Sequence, residues 1–260
     1  MKFYFDGSKY WRLMKFIPDS YTYQAVTPEY SYTAGLAFGE FQSMLSDIDD
    51  CLGETIPSFH NIELRLRQLR DAVDNDAVGR AKEVKLYIDE IEKRADAMCL
   101  GERLHREGKL PKRICHCDTK VNNMLFDEND QFLCVIDLDT TMPGFVLSDF
   151  GDFIRTAANT GAEDDPNLDN IHLNMEIFEA YAKGYLSTAT FLTDLEKSLL
   201  PYGCTRMSYM QAVRFYIDYL NGDTYYQIAY PEHNLVRTKA QIRLFEEQEK
   251  LLPEMQAILA

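Results

Sequence analysis

The feature that most constrains the fold of this chain is a change of hydrophobic period in its middle. Before this region, apolar residues repeat at helical spacing, as in Ile62, Leu66, Leu69 and Val73. Between residues 113 and 139 the pattern becomes three short apolar runs, ICH, NMLF and QFLCVIDL, with the turn-prone DEND separating the last two. A mostly helical pattern then returns. We therefore expect an α+β fold with one small β insertion.

Local signals add helices and a hairpin. Thr27, followed by Pro28 and Glu29, predicts the start of a helix that runs to about residue 47. A second apolar series, from Val84 to Met98, predicts a further amphipathic helix. Near the N-terminus, KFYFD (2–6) and KYWRLMKFI (9–17) flank an Asp-Gly dipeptide, which predicts a β-hairpin. Further along the chain, Thr193 and Glu196 have the spacing of a capping box.

Charge and composition exclude several classes of function. The chain has 42 acidic and 27 basic side chains, a net charge of −15, which would repel nucleic acid. No apolar run is long enough to span a bilayer, and the start of the chain lacks the pattern of a signal peptide. Six cysteines are scattered through a chain too large to need disulfides, so reduced thiols are expected. We expect a cytoplasmic protein with no membrane or nucleic-acid partner.

The segment ICHCDTKVNN (114–123) places cysteines, a histidine and an aspartate close together, as a zinc site would. In a strand, however, Cys115 and Cys117 would point to one face and His116 to the other. No second CxxC or HxxxH lies nearby to complete a tetrahedron. We therefore interpret the cysteines as small apolar residues beneath a loop.

A second spacing in the same segment has a chemical meaning. His116, Asp118 and Asn123 fit HxDxxxxN, and the pair Asp137 and Asp139 follows the apolar run FLCVI. In protein kinases a loop of this type directs an aspartate at the substrate hydroxyl, while an asparagine and a second aspartate bind magnesium. Phosphoryl transfer requires these residue types, because Mg²⁺ on phosphates prefers hard oxygen ligands. The ordered set predicts a phosphotransfer site.

With these residues in place, the chain resembles the aminoglycoside phosphotransferase and choline kinase superfamily, whose members have a protein-kinase-like fold. HCDTKVNNMLFD is similar to its catalytic loop, and CVIDLDTTMPGFVLSDFGDFIR to its metal-binding strand and following helix. The wording of IDLDTTMPGF, SDFGDFIRTAANTGAEDD and RFYIDYLNGDTYY is most similar to N-acetylhexosamine 1-kinases. The resemblance implies an ATP- and Mg²⁺-dependent kinase that acts on the anomeric hydroxyl of an N-acetylhexosamine.

The resemblance also implies roles for single residues. Asp118 would be the catalytic base, and Asn123 and Asp137 would bind Mg²⁺, with Asp139 as a second metal or phosphate-side carboxylate. His116 and Asp149 would support the loop structurally, although Asp149 could also simply cap a helix.

Substrate-binding positions follow from the same resemblance. Arg214 and Tyr225 would bind the sugar; alternatively they are an arginine extending along a helix face and a core tyrosine. Arg155 is a further candidate, but an ion pair with a nearby acid would explain it equally well.

The family pattern is incomplete at the N-terminus. Phe16 and Ile17 resemble the nucleotide hinge, and no GxGxxG or GxxxxGK occurs; GLAFGE (35–40) lies in a helix pattern. We expect residues 1–18 to be a remnant hairpin and hinge of an N-terminal lobe, and 19–260 to be the helical lobe with the catalytic loop. The missing part would be absent either naturally or by truncation. An open hairpin edge could also pair with a second copy to form a homodimer.

Three other functions remain open from the sequence. The chain could be a non-catalytic sugar-binding derivative of the kinase fold, or a kinase for choline, ethanolamine or an aminoglycoside, which the acidic charge would suit. A Mg²⁺ phosphohydrolase that uses Asp137 and Asp139 is weaker, because it leaves HxDxxxxN unexplained.

Overall fold

Helices account for most of the regular secondary structure, as the helical periodicity predicts. A computed structural model describes residues 3–23, 26–48 and 52–259. The helices, numbered in chain order, are α1 (Pro28–Met44), α2 (Ile62–Asn75), α3 (Lys85–Glu92), α4 (Ala95–Met98), α5 (Leu100–Arg106), α6 (Val146–Ala157), α7 (Met175–Thr188), α8 (Asp194–Ser198), α9 (Leu200–Leu220) and α10 (His233–Leu259).

Helix starts follow their capping residues. The Thr27 side chain accepts a hydrogen bond from the Tyr30 amide at the start of α1, and Thr193 and Glu196 form the predicted capping box of α8. The prediction of one helix from Val84 to Met98 is wrong. That stretch is divided into a 3-10 turn (Ala81–Val84), α3 and α4, because the chain bends to keep Ile91 and Met98 buried against α9 and α10.

Three small antiparallel sheets accompany the helices. The predicted insertion forms β4 (Arg113–Cys115), β5 (Met124–Asp127) and β6 (Phe132–Val135), and two further strands are β3 (Ser20–Tyr21) and β7 (Met142–Gly144). Strand β5 lies between β3 and β6, with Tyr21 opposite Phe126 and Met124 opposite Val135. Strand β4 pairs with β7, placing Cys115 opposite Met142. The segment from Cys115 to Asn123 therefore joins two different sheets.

The N-terminal hairpin is present but shorter than predicted. It consists of β1 (Tyr4–Phe5) and β2 (Tyr10–Trp11), and the Asp6 carboxylate accepts hydrogen bonds from the Ser8 and Lys9 amides in its turn. The second strand ends at Trp11 instead of continuing to Ile17. Its aromatic side chains are exposed, and pairing with a second copy stays a prediction.

Two close helix contacts fix the framework behind the site. In α1 a Cβ at Gly35 would lie 2.3 Å from the Tyr181 carbonyl oxygen of α7, so GLAFGE serves helix packing. A Cβ at Gly151 in α6 would lie 2.2 Å from the Gly203 carbonyl oxygen of α9. Because α6 follows β7 directly, the α6–α9 contact also positions Asp149 beneath the loop.

The apolar core has two main parts. One lies between α1, α6 and α7 and includes Phe38, Phe150 and Phe178; the other lies between α2, α9 and α10 and includes Leu69 and Phe245. Burial of these side chains supplies most of the drive for folding.

In the described part of the chain, no helix is both long and apolar enough to cross a membrane.

Candidate active site

Asp149 holds the loop between β4 and β5 from below. Its side chain is 1% exposed, and its carboxylate accepts hydrogen bonds from the amides of His116 (2.7 Å) and Cys117 (2.8 Å). The Gln42 side-chain amide donates to the same carboxylate at 2.7 Å. Burial raises the pKa of Asp149, an effect that these three donors offset in part. Helix α6 therefore fixes the loop through a single buried side chain.

His116 connects this loop to the end of β6. Its imidazole Nε2 lies 2.8 Å from the Ile136 carbonyl oxygen, and its Nδ1 accepts from the Asp118 amide at 3.3 Å. This arrangement fits a neutral ring with its proton on Nε2. The ring is fully buried and meets Phe38 and Phe41 edge-on. His116 thus occupies a structural position.

The cysteines of the loop lie buried beneath it. Cys115 and Cys117 are buried, and burial raises the pKa of both thiols, so they stay protonated near neutral pH. Among the described residues, no group of three or more His, Cys, Asp or Glu side chains could hold a metal ion. Cys117 has a left-handed φ of 64°, and this turn directs the next residue, Asp118, away from the core.

Asp118 and Asn123 lie side by side at the open edge of the loop. The Asn123 amide donates to the Asp118 backbone carbonyl at 2.7 Å and lies 3.4 Å from its carboxylate. Lys120 forms an ion pair with the same carboxylate at 2.8 Å. The Asp118 side chain keeps 21% of its surface exposed, so a substrate hydroxyl can reach it.

Ile136 brings the second aspartate to the same place. Its amide donates to the Asn123 carbonyl at 2.9 Å, and its carbonyl accepts from His116. The following residue, Asp137, has a left-handed φ of 60° and an exposed side chain. The end of β6 and the loop between β4 and β5 are therefore tied together next to Asp118, Asn123 and Asp137.

The oxygen atoms at this place fit a magnesium ion. The Asn123 amide donates through its nitrogen, and its side-chain oxygen accepts no hydrogen bond from any described residue. The Asp137 carboxylate likewise makes no hydrogen bond within the described chain. Amide and carboxylate oxygens are ligands that Mg²⁺ prefers, and the metal usually takes its remaining ligands from water and substrate phosphates.

Asp139, predicted to be a second metal or phosphate-side carboxylate, has a partner in the structure, and its predicted role stays a prediction. Its carboxylate forms an ion pair with Arg12, just after β2. The predicted hinge residues lie in the same N-terminal region, where Phe16 is 82% exposed and Ile17 accepts a hydrogen bond from the Ser20 hydroxyl. Their role at a nucleotide stays a prediction.

Arg214 and Tyr225, the predicted substrate-binding residues, line one cavity of about 550 Å³. This Arg214 cavity lies between α2 and α9, with Phe59 and Tyr226 in its wall. The Arg214 guanidinium lies 4.9 Å from the ring centroid of Phe59, and Tyr225 is 70% exposed at the mouth. Arg155 is not there: its buried guanidinium forms ion pairs with Asp152 and Glu163.

A smaller cavity of about 220 Å³ lies beside the loop between β4 and β5. This Cys117 cavity has Cys117 at one end and shares Phe59 with the Arg214 cavity. Its wall includes Glu102, whose carboxylate forms a 2.7 Å ion pair with the fully buried Arg206. The sequence did not single out Phe59, Glu102 or Gln42, because their partners lie far along the chain.

Known proteins resemble this chain in sequence and in fold. The profile of the phosphotransferase enzyme family (APH) matches residues 3–189. Among solved structures, an ethanolamine kinase from Plasmodium vivax is similar with a TM-score of 0.59 and 15% identity over 92% of this chain. A choline kinase from Cryptosporidium parvum is similar with a TM-score of 0.59 and 12% identity over 94% of this chain.

At these identities the structural likeness shows a shared, kinase-like α+β fold. The chain spans 66% of the length of the ethanolamine kinase and 71% of that of the choline kinase. About a third of each of those proteins thus has no counterpart among these residues.

Proposed function

Because the chain belongs to the phosphotransferase enzyme family, we propose that it transfers the γ-phosphoryl group of ATP to a hydroxyl of an N-acetylhexosamine, the anomeric hydroxyl by the resemblance of its sequence. The observation that carries this proposal is the pair of hydrogen bonds at Ile136. They hold a base candidate, Asp118, and two magnesium-type ligands, Asn123 and Asp137, at one edge of the loop.

In the proposed reaction, Asp118 accepts the proton of the acceptor hydroxyl as that oxygen attacks the γ-phosphorus. The bond from phosphorus to the bridging oxygen of ADP breaks at the same time. Lys120 and Asn123 orient the Asp118 carboxylate through their contacts at 2.8 Å and 3.4 Å. Mg²⁺, held by Asn123 and Asp137, would neutralise charge on the phosphates.

The Arg214 cavity favours a neutral acceptor over a cationic one. Choline-type ligands bind over free aromatic faces. In the Arg214 cavity, Arg214 already occupies the face of Phe59 and lies 5.7 Å from that of Tyr226. In the Cys117 cavity, Arg206 lies 5.6 Å from the Phe145 ring. A cationic acceptor would meet the like charge of Arg214 in the Arg214 cavity, whereas sugar hydroxyls can accept hydrogen bonds from its guanidinium group. In the Cys117 cavity, the charge of Arg206 is paired with that of Glu102.

The direct test is an assay of ADP formation by the full chain with Mg·ATP and either GlcNAc, GalNAc, choline or ethanolamine, with the product identified by phosphorus NMR. We expect a hexosamine 1-phosphate. Asp118→Asn should lower the rate by about 10²- to 10⁴-fold, because it removes the base. The control Asp96→Asn, at a side chain that is 95% exposed, should leave the rate unchanged.

Each alternative function predicts a different experimental result. Faster transfer to choline or ethanolamine would mean that the acceptor is a cationic alcohol and not a hexosamine. Sugar binding in calorimetry without nucleotide binding or ADP formation would indicate a non-catalytic binding protein. Release of phosphate from a sugar phosphate, with no acceptor present, would indicate a phosphohydrolase.

A further inference from the structure

Two arginines in the Arg214 cavity have only neutral partners. Arg65 donates to the Gln68 side-chain oxygen at 2.8 Å and to the Phe59 carbonyl at 3.1 Å. Arg214 donates to the Gln211 side-chain oxygen at 3.1 Å. Among the described residues, neither guanidinium forms an ion pair, and the buried Arg65 Nε has no hydrogen-bond partner. Both guanidiniums contact Phe59, so they flank the same part of the cavity wall.

This is unusual in so acidic a chain. With 42 carboxylates against 27 basic groups, a carboxylate is readily available to each arginine. The buried arginines Arg155 and Arg206 and the half-buried Arg113 each have one. Leaving two neighbouring guanidiniums without one costs repulsion and desolvation, which a ligand of opposite charge would offset.

The acids of the same cavity wall do not neutralise the pair. Asp218 is buried and its two oxygens accept from the Tyr225 and Tyr226 amides at 2.8 and 2.9 Å. The Asn234 side chain donates to it as well. Asp71 is exposed, six positions beyond Arg65 on α2, and forms no ion pair with either arginine.

Neighbouring groups respond to this local positive charge. Burial and the charge of Arg214 both lower the pKa of Arg65, which remains far above neutrality. Burial lowers the pKa of His60 well below its ordinary value, and Arg214, Arg206 and Arg65 lower it further. The charges of Arg65 and Arg214 therefore also act on His60, which lines the Cys117 cavity.

We propose that Arg65 and Arg214 together bind an anionic group, a phosphate or a carboxylate, on the acceptor substrate. Two guanidinium groups can each present paired N–H donors to such an oxyanion. The cavity, at about 550 Å³, has room for a monosaccharide with one such substituent. That the anion belongs to the acceptor rests on the proposed function; the Arg214 cavity shares the wall residue Phe59 with the Cys117 cavity, which borders the loop that carries Asp118.

The test is calorimetry on the full chain with matched ligands. N-acetylglucosamine is compared with N-acetylglucosamine 6-phosphate, glucose with glucuronate, and inorganic phosphate is titrated alone. We expect the anionic member of at least one pair to bind about tenfold tighter or more, with a preference that falls as salt rises. The two pairs distinguish a phosphate from a carboxylate.

Variants assign the preference to the arginines. Arg65→Gln and Arg214→Gln should each remove most of it, whereas binding of the neutral sugar should change much less for Arg65→Gln. Arg67→Gln is the matched control, because Arg67 lies on the same helix but is exposed and outside the cavity. Arg65→Lys should retain part of the preference, and thermal unfolding confirms that each variant is folded.

Equal affinity for the neutral and anionic members of both pairs would overturn the inference. So would an equal loss of neutral and anionic binding in Arg65→Gln, since the arginine would then be a general hydroxyl donor. These outcomes are separable from the proposed function. Phosphoryl transfer without anionic preference refutes the anion site alone, while anion binding without any transfer refutes the kinase activity alone.

Discussion

The catalytic loop and the N-terminal segment both reach the candidate active site, but they are held very differently. In the loop, the amides of His116 and Cys117 and the hydroxyl of Thr119 all bond to the buried Asp149. The N-terminal segment, residues 3–17, reaches the site through the ion pair between Arg12 and Asp139. Its aromatic residues are largely exposed, with Tyr10 at 71% and Phe16 at 82%.

The difference shows which of the proposed functional groups the helical core holds in a fixed position. Groups proposed to act on the acceptor sit on a loop whose backbone is fixed by buried hydrogen bonds, as preorganised catalysis requires. The contact between the N-terminal segment and Asp139 is exposed. We therefore expect substitutions to have effects that decrease steadily from Asp149 outward to Arg12.

The largest effect is expected for Asp149→Ala. The substitution leaves the amides of His116 and Cys117 and the side chain of Gln42 buried without an acceptor. Each unsatisfied buried donor costs about 1–3 kcal/mol, so the free energy of unfolding should fall by about 3 kcal/mol or more. Denaturant unfolding measures this loss.

The surface variant Asp96→Asn is the control, and it should change stability by no more than about 0.5 kcal/mol. A loss below about 1 kcal/mol for Asp149→Ala, with transfer activity intact, would mean that the loop does not depend on helix α6. The contrast between the two regions would then disappear.

The sequence predicted the loop better than it predicted the residues that hold the loop in place. HxDxxxxN, the strands around it, the Thr27 cap and the Thr193–Glu196 capping box are local patterns, and each is present in the fold. Gln42 reaches Asp149 across 107 positions, and Arg206 reaches Glu102 across 104. Periodicity and motif spacing carry no information on such contacts, because helix packing alone brings these residues together.

The same limit applies to the cavities. Arg214 and Tyr225 were predicted from a resemblance, whereas Phe59 and Arg65 lie on the approach to α2 and on α2 itself, with nothing unusual around them in the sequence. Arg65 stands out only in the folded structure, where it has no carboxylate partner among the described residues. The break between α3 and α4 was missed for a related reason, since burial against α9 and α10 overrode local periodicity.

An intermediate effect is expected at Glu196, which anchors the start of β4. Its fully buried carboxylate accepts two hydrogen bonds from Arg113, at 2.7 and 2.9 Å, and another from the Thr193 amide. Burial acts to raise the pKa of Glu196, but these donors outweigh it and hold the pKa below the ordinary value of 4.5. Glu196→Gln should cost about 1–3 kcal/mol at pH 7.

The pH dependence of that cost has a defined sign. Because the folded-state pKa is lowered, the stabilisation is fully present above pH 4.5 and is lost as pH falls through the folded value. The difference in unfolding free energy between Glu196→Gln and the unsubstituted protein should therefore shrink toward zero in acid. Urea unfolding at a series of pH values measures it, and a cost that stays constant would contradict the lowered pKa.

The smallest effect on the free energy of unfolding is expected for Arg12→Gln, in the exposed N-terminal segment. The side chains of the Arg12–Asp139 pair are 32% and 57% exposed, so solvent and salt screen their attraction. Exposed pairs of this kind contribute about 0.2–1 kcal/mol, and a double-mutant cycle with Asp139→Asn should give a coupling energy in that range that falls as salt is added. A salt-independent coupling above about 2 kcal/mol would instead show that the pair is shielded from water. The N-terminal segment would then be held as firmly as the loop, and the site would be preorganised on both sides.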